Sequence, residues 1–164
     1  MKKYKVYQLR RENENIIDDK EIYDARMKVI AEYKVNSDRK DFVLISEDIW
    51  HLCNVHCWDL SWHDGDGVQK DDIILTPTTD FDGFCNSDIV VETEDGLYLA
   101  ESFGFMKVKS LEEASYRIIA RFPFISWDNM RNKDEYDKNK LIDVKRQIED
   151  ERQKEIDEYN KNKK

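Results

Sequence analysis

Two short runs rich in β-branched and aromatic residues, 88–92 and 97–101, flank the tripeptide Glu94-Asp95-Gly96. An Asp-Gly pair between such runs is a hairpin signal, because glycine supplies the backbone freedom that a tight turn between twisted strands demands. The chain must therefore hold antiparallel sheet. Residues 105–109 extend the same pattern and are expected to join that sheet. Residues 3–10 (Lys-Tyr-Lys-Val-Tyr-Gln-Leu-Arg) place Tyr4, Val6 and Gln8 on one side and read as a further strand. Residues 41–45 (Asp-Phe-Val-Leu-Ile) read as a short buried strand, and 73–76 are apolar and brief.

Helical spacing appears elsewhere. Over 18–33, Ile22, Ala25, Val29, Ile30 and Tyr33 share one helical face, with Asp18 or Asp19 as the start signal. Ser46 reads as an N-cap, with Glu47 and Asp48 in the first turn, where the helix dipole favours anions. The stripe that follows is Ile49, Leu52, Cys53, His56, Cys57 and Leu60. Ser110 and Glu113 form a capping box that opens a helix to Arg121, and Pro123 stops it. A long charged helix is expected over 132–160, with a thin stripe of Leu141, Val144, Ile148, Ile156 and Tyr159. Residues 63–72 and 77–86 read as loops. The expected fold class is α+β: a small mixed or antiparallel sheet packed with helices, plus the long C-terminal helix. The expected division is a domain over 1–125 and the charged helix over 126–164.

A chain of 164 residues, 40% of them hydrophobic, can bury one core. No run approaches the ~18 apolar residues of a membrane span, and no apolar stretch follows the basic start. Three cysteines without a signal disfavour a disulfide framework and fit a reducing cytoplasm.

Charge is segregated along the chain. Residues 41–101 hold 15 acidic residues against one basic residue, Lys70, whereas the flanks are slightly basic (11 basic and 8 acidic before, 15 and 13 after). Such a segment cannot neutralise itself locally. Folded, it projects a negative field that steers basic partners and disfavours direct nucleic-acid binding. The alternative is a solvated acidic face that keeps the protein soluble.

All six Cys and His residues lie between His51 and Cys85. Cys53, His56 and Cys57 share a helical face, and thiolate and imidazole are the ligands zinc prefers. Cys85 is the expected fourth ligand, with His63 as the other option. Against zinc, Cys53 and Cys57 also lie on an apolar stripe, where cysteine acts as a small hydrophobe. A Cys/His nucleophilic pair built from Cys53 or Cys57 lacks any framing motif. Residues 63–72 lack the fifth, sixth and twelfth positions of a calcium loop. No phosphate-binding glycine loop and no nucleophile elbow occurs, so no catalytic activity is expected. Trp50, Trp58, Trp62, Phe81 and Phe84 crowd the acidic region as core residues or interface anchors.

Lys5-Val6-Tyr7-Gln8-Leu9, Ser87-Asp88-Ile89-Val90-Val91 and the run from Asp95-Gly96 to Glu101-Ser102-Phe103-Gly104-Phe105 resemble the YodL-like domains of phage and mobile-element proteins. Glu101 stands where that family usually has Asp. The resemblance covers roughly residues 3–114. It implies a mobile-element origin, where small acidic proteins resemble anti-CRISPR inhibitors by type. The leading expectation is an inhibitor that docks its acidic face on a basic, nucleic-acid-handling host protein such as Cas9 and blocks nucleic-acid loading. The expected contact residues are Asp59, Asp64, Asp66, Asp71, Asp72, Asp80 and Asp82, with Trp62 as anchor. The alternatives are a zinc-stabilised accessory domain in mobile-element maintenance and a Cys-dependent enzyme.

Overall fold

A computed structural model describes residues 2–13, 23–55, 68–78, 88–101, 104–121 and 133–163, with Trp127 and Met130. The fold is α+β. Seven strands form one sheet: β1 (Tyr4–Asn13), β2 (Tyr23–Val35), β3 (Val68–Lys70), β4 (Ile73–Pro77), β5 (Ile89–Thr93), β6 (Gly96–Glu101) and β7 (Gly104–Val108). Their order across the sheet is β3-β4-β2-β1-β5-β6-β7. The β1–β5, β2–β4, β3–β4, β5–β6 and β6–β7 pairings are antiparallel. Among the described residues three α-helices accompany them: α1 (Phe42–Val55), α2 (Leu111–Arg121) and α3 (Lys138–Asn162).

The chain divides into two compact units. One comprises Met1–Arg10 and Arg26–Ala114, the other Arg11–Ala25 and Ser115–Lys164.

In the first unit, α1 lies against the sheet. Its Ile45, Ile49, Leu52 and Cys53 form one core with Val6, Ala31, Tyr33, Ile73, Leu75, Ile89, Val91 and Ala100. Strand alternation explains the membership: Val6 pairs with Val91, and Tyr33 with Leu75, so each pair shares a face. Val90 and Leu99 point to the opposite face and are also fully buried, so the middle of the sheet reads as a continuous apolar run.

The β5–β6 hairpin forms where it is expected. Thr93 pairs with Gly96 around Glu94 and Asp95. Gly96 takes a φ of +132°, open to glycine and strained for other residues. The Thr93 hydroxyl donates to the Gly96 carbonyl at 2.9 Å and accepts from the Asp95 N–H at 3.1 Å. The two stretches that begin the YodL-like resemblance lie side by side. Gln8 pairs with Ile89, and its amide reaches both Asp88 carboxylate oxygens at 3.3 Å.

Three expectations are corrected. Residues 23–33, expected as helix, are strand β2. Tyr23, Ala25, Met27, Val29, Ala31, Tyr33 and Val35 are apolar at every second position, and that period overrides the sparser helical spacing. The expected strand at 41–45 is instead the first turn of α1, which begins at Phe42. Ser46 is consequently not a cap. It is buried inside the helix, and its hydroxyl donates to the Phe42 carbonyl at 2.8 Å, one turn back. Within the expected loop 63–72, Val68–Lys70 form β3.

In the second unit, Asp137 caps α3 by accepting from the N–H groups of Asn139 at 2.9 Å and Lys140 at 3.4 Å. A short 3₁₀ turn, Lys133–Glu135, precedes it, so the helix starts later than residue 132. Tyr116 and Tyr136 meet edge to face, with ring centroids 5.3 Å apart. The buried Arg117 guanidinium meets the Glu151 carboxylate at 2.9 Å and ties α2 to α3. Ile148 is the buried residue of α3, and every residue from Arg152 to Lys163 is exposed.

At α2 the Ser110 hydroxyl accepts from the Glu113 N–H at 3.1 Å, as a capping box requires. The reciprocal bond shifts by one residue: Glu113 accepts from the Lys109 N–H at 2.7 Å.

Candidate functional site

α1 presents two clusters of acidic side chains, and the geometry treats them oppositely. At its N-terminal end, Arg39 collects three carboxylates. It makes a two-pronged contact with Asp41, at 2.8 and 3.0 Å, and reaches Asp48 at 3.1 Å and Asp72 at 3.3 Å. Asp72 also accepts from the Ser37 hydroxyl. The Arg39 bonds hold the Asp41 carboxyl below the usual range, and the Ser37 hydroxyl, followed by Arg39, does the same for Asp72. The flanking segment thus neutralises part of the acidic segment. Lys40 does likewise for Glu94 at 2.8 Å, and Lys107 for Asp95 at 3.2 Å.

On α1 itself, Glu47, Trp50 and His51 stand at positions i, i+3 and i+4 on one helical face. With Ala100 and Glu101 of β6 and Gly104 and Phe105 of β7 they line a cavity of about 250 Å³. Glu47, Trp50, Glu101 and Phe105 are half-buried, and His51 is exposed. Gly104 adopts a φ of +113°, and a Cβ placed on it would stand 3.8 Å from Glu47 Oε1. The glycine therefore permits a β7 entry that other residues rarely adopt. Among the described residues Glu47 has no hydrogen-bond or ion-pair partner. On the outer side of α1, Val43 and Leu44 are 40% and 52% exposed, an apolar rim beside the acidic pocket.

The residues expected to act are distributed as follows. Cys53 is a free thiol, fully buried in the apolar core against the sheet. The other expected zinc ligands, His56, Cys57 and Cys85, lie outside the described residues. No group of three His, Cys, Asp or Glu side chains that could hold a metal occurs among the described residues. Asp71 is exposed at the β3–β4 turn with a φ of +54°, a conformation Asp tolerates better than most residues. Asp72, in the same turn, is engaged by Arg39 and Ser37. Asp59, Trp62, Asp64, Asp66, Asp80 and Asp82 lie outside the described residues.

The pocket residues escaped the sequence reading because each had another explanation. Glu47 passed as a dipole-stabilising first-turn residue, Trp50 as one of several aromatics, and Glu101 and Phe105 as strand residues. The recoverable signal was the Glu47–Trp50–His51 spacing on the helix expected after Ser46; what the sequence does not encode is the contact of that helical face with Glu101 and Phe105.

No known protein family, curated protein or solved structure matches the chain. No helix among the described residues is long and apolar enough to cross a membrane.

Proposed function

We propose that this protein works by binding rather than by catalysis, docking the acidic face of the 41–101 segment on a basic, nucleic-acid-handling protein. The observation that carries the reading is the pocket on α1, β6 and β7. It joins two carboxylates to aromatic walls, with exposed Val43 and Leu44 beside it. Interfaces are anchored by aromatic residues in pockets, while complementary charge steers encounter and fixes register. The Arg39 network narrows the face: Asp41, Asp48 and Asp72 serve the protein's own structure, which leaves Glu47 and the exposed Asp71 for a partner.

The specific form we favour is an anti-CRISPR inhibitor, acting in the host cytoplasm, that occupies a phosphate-binding surface of Cas9. The resemblance to YodL-like domains of mobile elements and the charge map support this choice. Zinc at Cys53, His56, Cys57 and Cys85 would be structural in that setting.

The test is DNA cleavage by purified Cas9–guide complexes with this protein titrated in. Inhibition near stoichiometric amounts, weakened by added salt and by Lys substitution at Glu47 and Asp71, is the expected result. Full cleavage with several Cas9 orthologues would remove the Cas9 assignment. Binding to basic proteins that survives those substitutions unchanged would remove the acidic-face mechanism.

A further inference from the structure

We infer that the α1–β6–β7 pocket is a receptor for one arginine side chain of a partner protein. This deepens the reading above and rests on it for the partner's class.

Size comes first. At about 250 Å³ the cavity falls below the roughly 300–1,000 Å³ of sites that enclose a small-molecule ligand or cofactor. It suits a single long side chain entering from outside. Charge comes next. Glu47 lines the space together with Glu101, which already has an interaction within the chain, and no Lys or Arg stands among the described lining residues. A half-buried carboxylate that has lost part of its hydration without gaining a cation is stabilised by one supplied from outside. Glu47 is in that position among the described residues.

Shape separates the two candidate cations. Trp50 and Phe105 give aromatic surface to the same cavity that holds the carboxylates. A guanidinium is planar and weakly hydrated, stacks on aromatic faces, and directs several N–H donors in its plane toward carboxylates. A lysine ammonium is a strongly hydrated point charge that gains less from such walls.

The experiment uses the full chain and follows the Trp50 indole N–H signal by NMR, assigned through Trp50→Phe. Acetyl-arginine amide is titrated in, with acetyl-lysine amide and the neutral isostere acetyl-citrulline amide as comparisons. We expect saturable shifts at Trp50 with a dissociation constant on the order of 1 mM, the range for so small a ligand. Citrulline amide should leave the signal in place, and lysine amide should bind more weakly than arginine. Glu47→Gln, checked for an unchanged fold by circular dichroism, should weaken arginine binding about fivefold or more.

No shift at Trp50 up to tens of millimolar arginine amide (about ten times the expected constant) overturns the inference. So does an equal response to citrulline, and lysine binding as tightly as arginine overturns the choice of arginine. The two readings fail separately. A basic protein that binds wild type and Glu47→Gln equally removes the pocket and keeps the docking face. Arginine amide binding without capture by any basic protein keeps the pocket and removes the docking face.

Discussion

Tyr33 reaches across β1 to do the work of a backbone group. Its ring is 2% exposed in the core, and its hydroxyl donates to the Glu92 carbonyl on β5. Burial first, then the nearby Tyr4 and Glu92, push the phenol far above its ordinary pKa, so it remains a donor at any pH the protein meets. Tyr33→Phe keeps the ring and its packing while removing the donor from a part-buried carbonyl. We expect a loss of about 1 kcal/mol in unfolding free energy, read by urea titration with an unchanged m-value. A loss indistinguishable from zero would mean that water replaces the hydroxyl. Gly96 is the opposite case, where a side chain must be absent. A Cβ there would combine a φ of +132° with a 3.1 Å approach to Lys107 Cε. Gly96→Ala should cost about 1–3 kcal/mol, mostly from the backbone because the lysine can move. The same titration measures it.

At the scale of elements, the hairpin, β1, β7 and α2 were legible because local chemistry and period agreed. Asp-Gly marks the turn, and Ser110 with Glu113 marks a helix start. Two elements were misread where two periods overlapped. β2 carries apolar residues at every second position, yet a helical subset can be drawn through the same residues. The run Phe42–Ile45 suits a buried strand as well as a helix, and only its continuation through Ile49, Leu52 and Cys53 favours α1. The candidate site was hidden because it joins α1 to β6 and β7, about 50 residues away in sequence. The Arg39 network was hidden for the same reason: it joins the β2–α1 connection to the β3–β4 turn, and no local pattern encodes a contact between segments so distant in sequence. α3 adds an expectation of its own. Residues 152–163 are all exposed, so a chain ending at Glu151 should melt within about 2 °C of the full chain. A larger drop in calorimetry would show that the distal helix contributes to folding.

For the whole molecule, pH dependence follows from the depressed aspartates. Asp41 and Asp72 have folded pKa values below their unfolded ones. Their contribution is therefore complete above the unfolded value of about 4 and lost as pH falls through the folded values. The stability difference between wild type and Arg39→Met should be present at neutral pH and shrink once the pH drops below about 4. Denaturant unfolding at several pH values checks this, and a difference that stays constant down to the acid limit would deny the network its role. The strand order carries a consequence for how the protein is made. β1 is synthesised before the other described strands, yet one of its neighbours in the sheet is β5, and Gln8 and Asp88 are 80 residues apart in sequence. At about 5–20 residues per second, the first strand waits on the order of ten seconds before that neighbour has been synthesised. Throughout that interval one side of β1 lacks its final partner. The basic residues Lys2, Lys3 and Lys5 stand at the start of this waiting strand, and such charges discourage a nascent edge from pairing with another chain.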